Sequence, residues 1–154
     1  MNYLGHAYLS FLDPDILVGN MIGDYVKGLK AVEEFPIGIQ KGIMLHRKID
    51  EYTDKHPANL IAKNIFRNDY QLYAGAFVDT VYDHYLANDP QLFESEQTLL
   101  DFTLQVYNII TQTKTTLPDK FQLIFPLRSR ICRRPPRGYY AIGARRQKSI
   151  YLLI

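Results

Sequence analysis

The chain holds a single cysteine, Cys132, and no tryptophan among its 154 residues. One cysteine excludes an intrachain disulfide and the paired thiolates of a structural zinc site, and it fits a reducing compartment. No apolar run approaches the ~20 residues of a membrane-spanning helix. Asn2 to Leu12 also lacks the basic n-region of a secretory signal, so a cytoplasmic protein is the expectation. Strand-type alternation is sparse, and neither an internal repeat nor a low-complexity tract is present. Acids are missing from one stretch: all 16 Asp and Glu lie in residues 1–127 beside 10 Lys and Arg, whereas residues 128–154 hold 8 Lys and Arg and no acid.

What the chain does contain is helix punctuation. Its length suits one domain with a substantial core. Asp13-Pro14 reads as an N-cap and first helical residue, opening a helix to about Gly28 with Leu17, Val18, Met21, Ile22 and Tyr25 on its apolar face. A loop through Phe35-Pro36 leads to a central helix closed by Pro57, which also opens the next helix, with Leu60, Ile61 and Ile65 on one face. Residues 74–87 are apolar on nearly every side and read as a buried helix ending near Asn88-Asp89-Pro90. Ser95 caps a strongly periodic helix through Leu99, Phe102, Val106, Ile109 and Ile110, and a short helix fits between Pro118 and Pro126. The pattern predicts an all-α protein, a single helical bundle over residues 1–127. Residues 128–154 form an atypical basic tail without amphipathic period. They are read as a nucleic-acid arm, a disordered end, or sequence in a different frame.

Polar side chains recur at helical spacing within this apolar background. In the central helix Leu45, Ile49 and Tyr52 are expected to face the core. The adjoining stripe carries His46, Asp50, Thr53 and Asp54, putting an imidazole and a carboxylate one turn apart. Asp79 and Asp83 stand one turn apart in a segment without Lys or Arg, so a metal or a partner from another helix must compensate their charge. With His6, Asp24 and His84 these make a candidate ligand set of His6, Asp24, His46, Asp50, Asp79, Asp83 and His84. Mixed imidazole and carboxylate donors suit Mn²⁺, Fe²⁺, Zn²⁺ or Mg²⁺. Such an ion polarises a phosphoryl oxygen and acidifies its water, which makes phosphoester hydrolysis the expected chemistry. Lys27, Arg47 and Lys48 are the candidates to neutralise the phosphoryl oxygens, Arg47 from the rim. The plainer alternatives are a surface pair between Asp24 and Lys27, and packed, hydrogen-bonded core histidines at positions 6 and 46. Six of the ten basic residues before position 128 lie between 27 and 55, a solvated face or a rim that steers an acidic partner.

Four blocks carry a family resemblance: Met-Asn-Tyr-Leu-Gly-His at 1–6, Gly-Asn-Met-Ile-Gly-Asp-Tyr-Val-Lys-Gly at 19–28, the whole of 42–57, and Val-Asp-Thr-Val-Tyr-Asp-His-Tyr-Leu-Ala at 78–87. In residues and order they resemble the acyl-carrier-protein phosphodiesterases. The resemblance implies an all-helical relative of the HD-domain phosphohydrolases, with the characteristic dipeptide reversed as Asp83-His84. It implies a divalent-metal enzyme, using Mn²⁺ first with Mg²⁺ or Fe²⁺ as alternatives. That enzyme cleaves 4′-phosphopantetheine from the serine of holo acyl carrier protein. Asp24 matches an essential aspartate of that family, and His46, Asp50, Asp79, Asp83 and His84 match positions expected among the ligands or their supports. Tyr8 stands where many relatives have a second histidine, and family members run longer, with a Trp- and Tyr-rich helical C-terminal part. The competing readings are an HD-type hydrolase of a nucleotide or other small phosphoester, and an inactive, truncated helical binding protein. A membrane partner is not expected, and nucleic acid is not the expected partner.

Overall fold

The computed structural model describes residues 3–113 and 117–125, so the basic tail lies outside the described residues. Within residues 3–113, all described, seven α-helices follow one another: α1 Tyr3–Tyr8, α2 Pro14–Ile22, α3 Leu29–Glu33, α4 Ile37–Lys55, α5 Pro57–Tyr70, α6 Ala74–Ala87 and α7 Glu96–Gln112. Residues 119–125 are also helical, and no strand occurs among the described residues. The chain is therefore all-α, as its punctuation predicts.

The starts of these helices are set by local chemistry. Asp13 Oδ1 accepts the Ile16 N–H at 3.0 Å, with Pro14 in the first turn where its missing N–H costs nothing. His56 Nδ1 accepts the Ala58 N–H at 3.2 Å, so one residue ends α4 and caps α5 before Pro57. Ser95 and Thr98 exchange hydrogen bonds in a capping box at the start of α7. Two features depart from the sequence expectation: α3 forms in the segment expected as loop, and one helix boundary moves. The helix begun at Pro14 stops at Ile22, tightens into a 3₁₀ turn over Gly23–Tyr25 and opens at Val26, well short of Gly28. That early stop carries Asp24 off the helix and onto the turn after it.

The scaffold is the contact between α2 and α4, the most extensive between helices among the described residues. It is made backbone to backbone. A methyl group on Gly19 would overlap the Ile39 carbonyl oxygen and lie 2.8 Å from the Gly42 Cα, and one on Gly42 would overlap the Ile16 carbonyl. Gly38 sits instead against the Asp15 side chain, and Gly23 against the His46 ring. The paired positions 15 with 38, 19 with 42 and 23 with 46 advance together, so the two helices run parallel. Short α3 lies in the crossover between them. Leu17, Val18 and Ile22 of α2 and Ile39 and Ile43 of α4 are fully buried, and α7 adds Leu99, Val106 and Ile110 to the same core.

Three apolar faces are not where periodicity puts them. The core side of α4 is Ile39, Gly42, Ile43 and His46, whereas Leu45 and Ile49 are half-buried and Tyr52 is 69% exposed. In α5 the face of Leu60, Ile61 and Ile65 points outward, and Phe66 packs instead on Phe77 of α6. Helix α6 buries only Ala74, Val78, Asp83 and Ala87, leaving Phe77 and Tyr85 in contact with solvent. An apolar stripe states which side of a helix avoids water but not which neighbour will cover it, and here α5 packs chiefly on α6.

Candidate metal centre

Helix α1 crosses α2, which runs parallel to α4, and this brings two imidazoles face to face. The His6 and His46 rings stack at 4.3 Å between centroids, and both are buried. Asn20 of α2, wholly buried between them, orients both. Its amide nitrogen donates to His6 O at 2.8 Å and to Ser10 Oγ at 3.0 Å. Its Oδ1 is therefore the atom 2.8 Å from His6 Nδ1, which must be the donor. The Asn20 backbone carbonyl does the same for His46 Nδ1, also at 2.8 Å. With both Nδ1 atoms held as donors to carbonyls, both Nε2 atoms point the other way.

They converge on Asp50. His6 Nε2 lies 3.2 Å from Asp50 Oδ1 and His46 Nε2 3.1 Å from Oδ2. Asp24, on the turn after α2, adds Oδ1 at 3.3 Å from His46 Nε2. One donor atom each from His6, His46 and Asp50 falls within 4.8 Å of the others. Two imidazoles and a carboxylate, with each ring fixed through its far nitrogen by a carbonyl, is a donor set that fits a divalent first-row ion. The side chains of Asp24 and Asp50 are 43% and 44% exposed, so the cluster is closed from the core and open to solvent on its acidic side.

The charges in the cluster perturb one another. Burial alone would push His46 down, but hydrogen bonds to Asp24 and Asp50 and their charges outweigh it and raise its pKa to about 9. Burial pushes Asp50 up, and the His46 and His6 contacts overcome this and hold it well below the usual carboxylate range. Asp24 is lowered, chiefly by its hydrogen bond with His46. A raised His46 stabilises the fold fully below its unfolded value near 6.5, and the contribution is lost as pH climbs through about 9. The lowered Asp24 and Asp50 contribute above the ordinary carboxylate range and cease to do so as pH falls through their folded values. Solvent screens the half-exposed carboxylates, so the His46 contribution is on the order of 2 kcal/mol. With EDTA present, the melting temperature should therefore fall between pH 7 and 10, and His46→Gln should flatten that slope. Parallel slopes for the two proteins would contradict the assigned pairing.

The other sequence candidates are placed as follows. Asp83 is buried, but its oxygens face the start of α1, accepting the Leu4 and Gly5 N–H groups at 3.0 Å each. Burial pushes its pKa up to about 6 against the lowering effect of those two bonds. Asp79 is half-buried one turn earlier, and its charge also raises Asp83. Neither joins the group of donors around Asp50. His84 is exposed, with its ring edge-on to Tyr85 and Asn88 beside it, because one step along the helix turns it about 100° from buried Asp83. The structure does not bring it to the cluster. Arg47 spends Nη2 on the Val26 and Gly28 carbonyls at 3.1 and 3.2 Å, which pins the segment after Asp24. Lys27, in that pinned segment, is exposed. Asp54 is exposed and paired with Lys63 at 2.6 Å.

Sequence alone leaves the part of Asn20 undecided between orienting Asp24 and bonding backbone. A fully buried amide inside an apolar helix must spend all its hydrogen bonds within the protein, and that is the available signal.

An all-helical scaffold with a two-histidine, one-carboxylate centre defines a candidate metal-site protein. The profile described as acyl carrier protein phosphodiesterase matches residues 1–131. A protein named acyl carrier protein phosphodiesterase from Serratia proteamaculans is 35% identical over 122 residues, 79% of this chain and 63% of the relative. The Yersinia pestis protein of that name is 34% identical over the same shares, and the Photorhabdus laumondii one is 30% identical over 79% of this chain and 61% of its own. The chain belongs to the acyl carrier protein phosphodiesterase family. It spans less than two thirds of the length of these curated relatives. No solved structure matches it significantly, so the relation to HD-domain hydrolases rests on the family resemblance alone. No helix among the described residues is long and apolar enough to cross a membrane.

Proposed function

We propose that this chain carries the metal centre of a phosphodiesterase that releases 4′-phosphopantetheine from the serine of holo acyl carrier protein. The observation that carries the reading is the convergence of His6 Nε2 and His46 Nε2 on the two oxygens of Asp50, inside the segment that matches the family. We assign the ion as Mn²⁺, with Mg²⁺ or Fe²⁺ as alternatives, because imidazole nitrogen and carboxylate oxygen together suit borderline-to-hard cations. A bound ion of this kind would supply Lewis acidity at the phosphoryl group and would lower the pKa of a water there to roughly 7.

The protein's own groups do the rest. His6, His46 and Asp50 would hold the cation, and Asn20 keeps Nε2 of both rings free to ligate by engaging each Nδ1. Asp24, half-exposed at the open side and kept ionised by His46, orients the attacking water through a hydrogen bond. Exposed Lys27 meets the phosphoryl charge, and Arg47 holds the segment that presents it. In the reaction a water oxygen bonds to phosphorus and the bond from phosphorus to the serine oxygen breaks. The attacking water gives up a proton and the serine oxygen takes one up, leaving apo acyl carrier protein and free 4′-phosphopantetheine. The basic residues between positions 27 and 55 would speed the approach of an acidic carrier protein in a salt-dependent way.

Intact-mass measurement of holo acyl carrier protein tests this directly. Incubation with the chain and Mn²⁺ should remove the phosphopantetheine mass, EDTA should prevent it, and Asp24→Ala should slow it by about a hundredfold or more. Turnover of nucleotides with none of holo acyl carrier protein would assign a different phosphoester instead.

A further inference from the structure

Helix α1 carries His6, yet it has only six residues, too few to hold itself together in water. Its first N–H groups have no partner within the helix. The structure supplies one from 79 positions away: buried Asp83 of α6 places Oδ2 3.0 Å from Leu4 N and Oδ1 3.0 Å from Gly5 N. A carboxylate at a helix start is also favoured by the helix dipole. Two residues further on, Asn20 grips His6 at its backbone carbonyl and at Nδ1. His6 is thus located by two buried clamps, one on the ring and one on the turn that bears it.

We propose that Asp83 is a positioning residue for the metal centre: it holds His6 Nε2 against Asp50 by fixing the start of α1, and it does not ligate the ion. The carboxylate is a ligand candidate by sequence because it lies in an apolar helix without a local cation. The geometry gives its charge a different partner, the two backbone N–H groups, and leaves it outside the donor group of His6, His46 and Asp50. The same link joins the α5–α6 hairpin to the site, since Asp83 is the buried polar residue of α6. Ligand geometry tolerates only about half an ångström of error, so a loosened α1 should cost metal affinity on the scale of other supporting partners, roughly 10–100-fold.

This inference rests on the metal-centre reading but not on the substrate, and its test uses Mn²⁺ alone together with NMR of the EDTA-treated chain. Asp83→Asn keeps the shape while offering one acceptor in place of two. It should shift the Leu4 and Gly5 amide resonances and the His6 imidazole resonances before any metal is added, leave those of His46 largely in place, and weaken Mn²⁺ binding by calorimetry about tenfold or more. Unshifted His6 resonances in the metal-free variant, or unchanged Mn²⁺ affinity, would overturn the proposal. Should the variant not fold, hydrogen exchange in the wild-type chain decides. Leu4 and Gly5 amides protected well beyond free-peptide rates sustain the anchor, and exchange at free-peptide rates overturns it. A wild-type chain that binds Mn²⁺ without touching holo acyl carrier protein would refute the proposed substrate and leave this inference standing.

Discussion

His46→Gln is expected to lower Mn²⁺ affinity by at least about a hundredfold, measured by calorimetry on the whole chain. His46 is buried, its Nδ1 is committed to the Asn20 carbonyl, and its Nε2 faces both Asp24 and Asp50. Losing it removes one of three donors, which should exceed the roughly 10–100-fold cost of losing a supporting partner. Glutamine fills much of the same volume, so the loss reports on ligation more than on packing. His84→Gln is the matched control. That ring is exposed and apart from the cluster, so its affinity should equal wild type. Equal affinities for the two variants would remove His46 from the centre, and a loss at His84 alone would restore the sequence-based ligand set.

Gly19→Ala should be among the most destabilising single-methyl additions in the chain, costing about 3 kcal/mol or more in urea unfolding. The new Cβ would meet backbone on every side: the Ile39 carbonyl oxygen, the Gly42 Cα at 2.8 Å and the Ile43 nitrogen at 2.8 Å. No side chain there can rotate away, so α2 and α4 must separate. That separation would also carry Asn20, the next residue, away from both histidines, and metal affinity should fall with stability. Gly28→Ala gives the contrast. Gly28 has φ of +82° but nothing within 4 Å of an added methyl, so only the left-handed backbone is penalised, by roughly 1 kcal/mol. If Gly19→Ala were no worse than Gly28→Ala, the close parallel contact between α2 and α4 would be wrong.

The starts of α2, α5 and α7 are legible in the sequence because caps are local chemistry, whereas short α1 and α3, the latter with no side-chain cap, are not read as helices. Asp13-Pro14, His56-Pro57 and Ser95 each announce a start within four residues, and each structural start falls there. Helix faces were less legible. Tyr52, Leu60, Ile61 and Ile65 follow the helical spacing of core residues and yet lie exposed, because coverage depends on which elements dock, a long-range property. The core face of α4 had a signal of another kind, Gly42 answering Gly19, which marks backbone contact where no apolar side chain fits. The same limits apply at the site. His6, His46 and Asp50 belong to elements that the α2–α4 contact and α1 gather, and His46 and Asp50 already share a helix stripe. Asp83 and His84 could not be separated by composition. Adjacent residues on a helix point about 100° apart, and only the placement of α6 against α1 decides which is buried. Asn20 reads in isolation as a plain polar residue. Its function is visible only once α1 and α4 are both beside it.

The central claim is that His6, His46 and Asp50 share one divalent cation. The most direct test is an anomalous-difference map at the manganese absorption edge from crystals of the chain grown with Mn²⁺. A single strong peak is expected between His6 Nε2, His46 Nε2 and the Asp50 carboxylate, with Asp83 still bonded to the Leu4 and Gly5 amides. No peak there, or a peak held by Asp83 and His84, would contradict it.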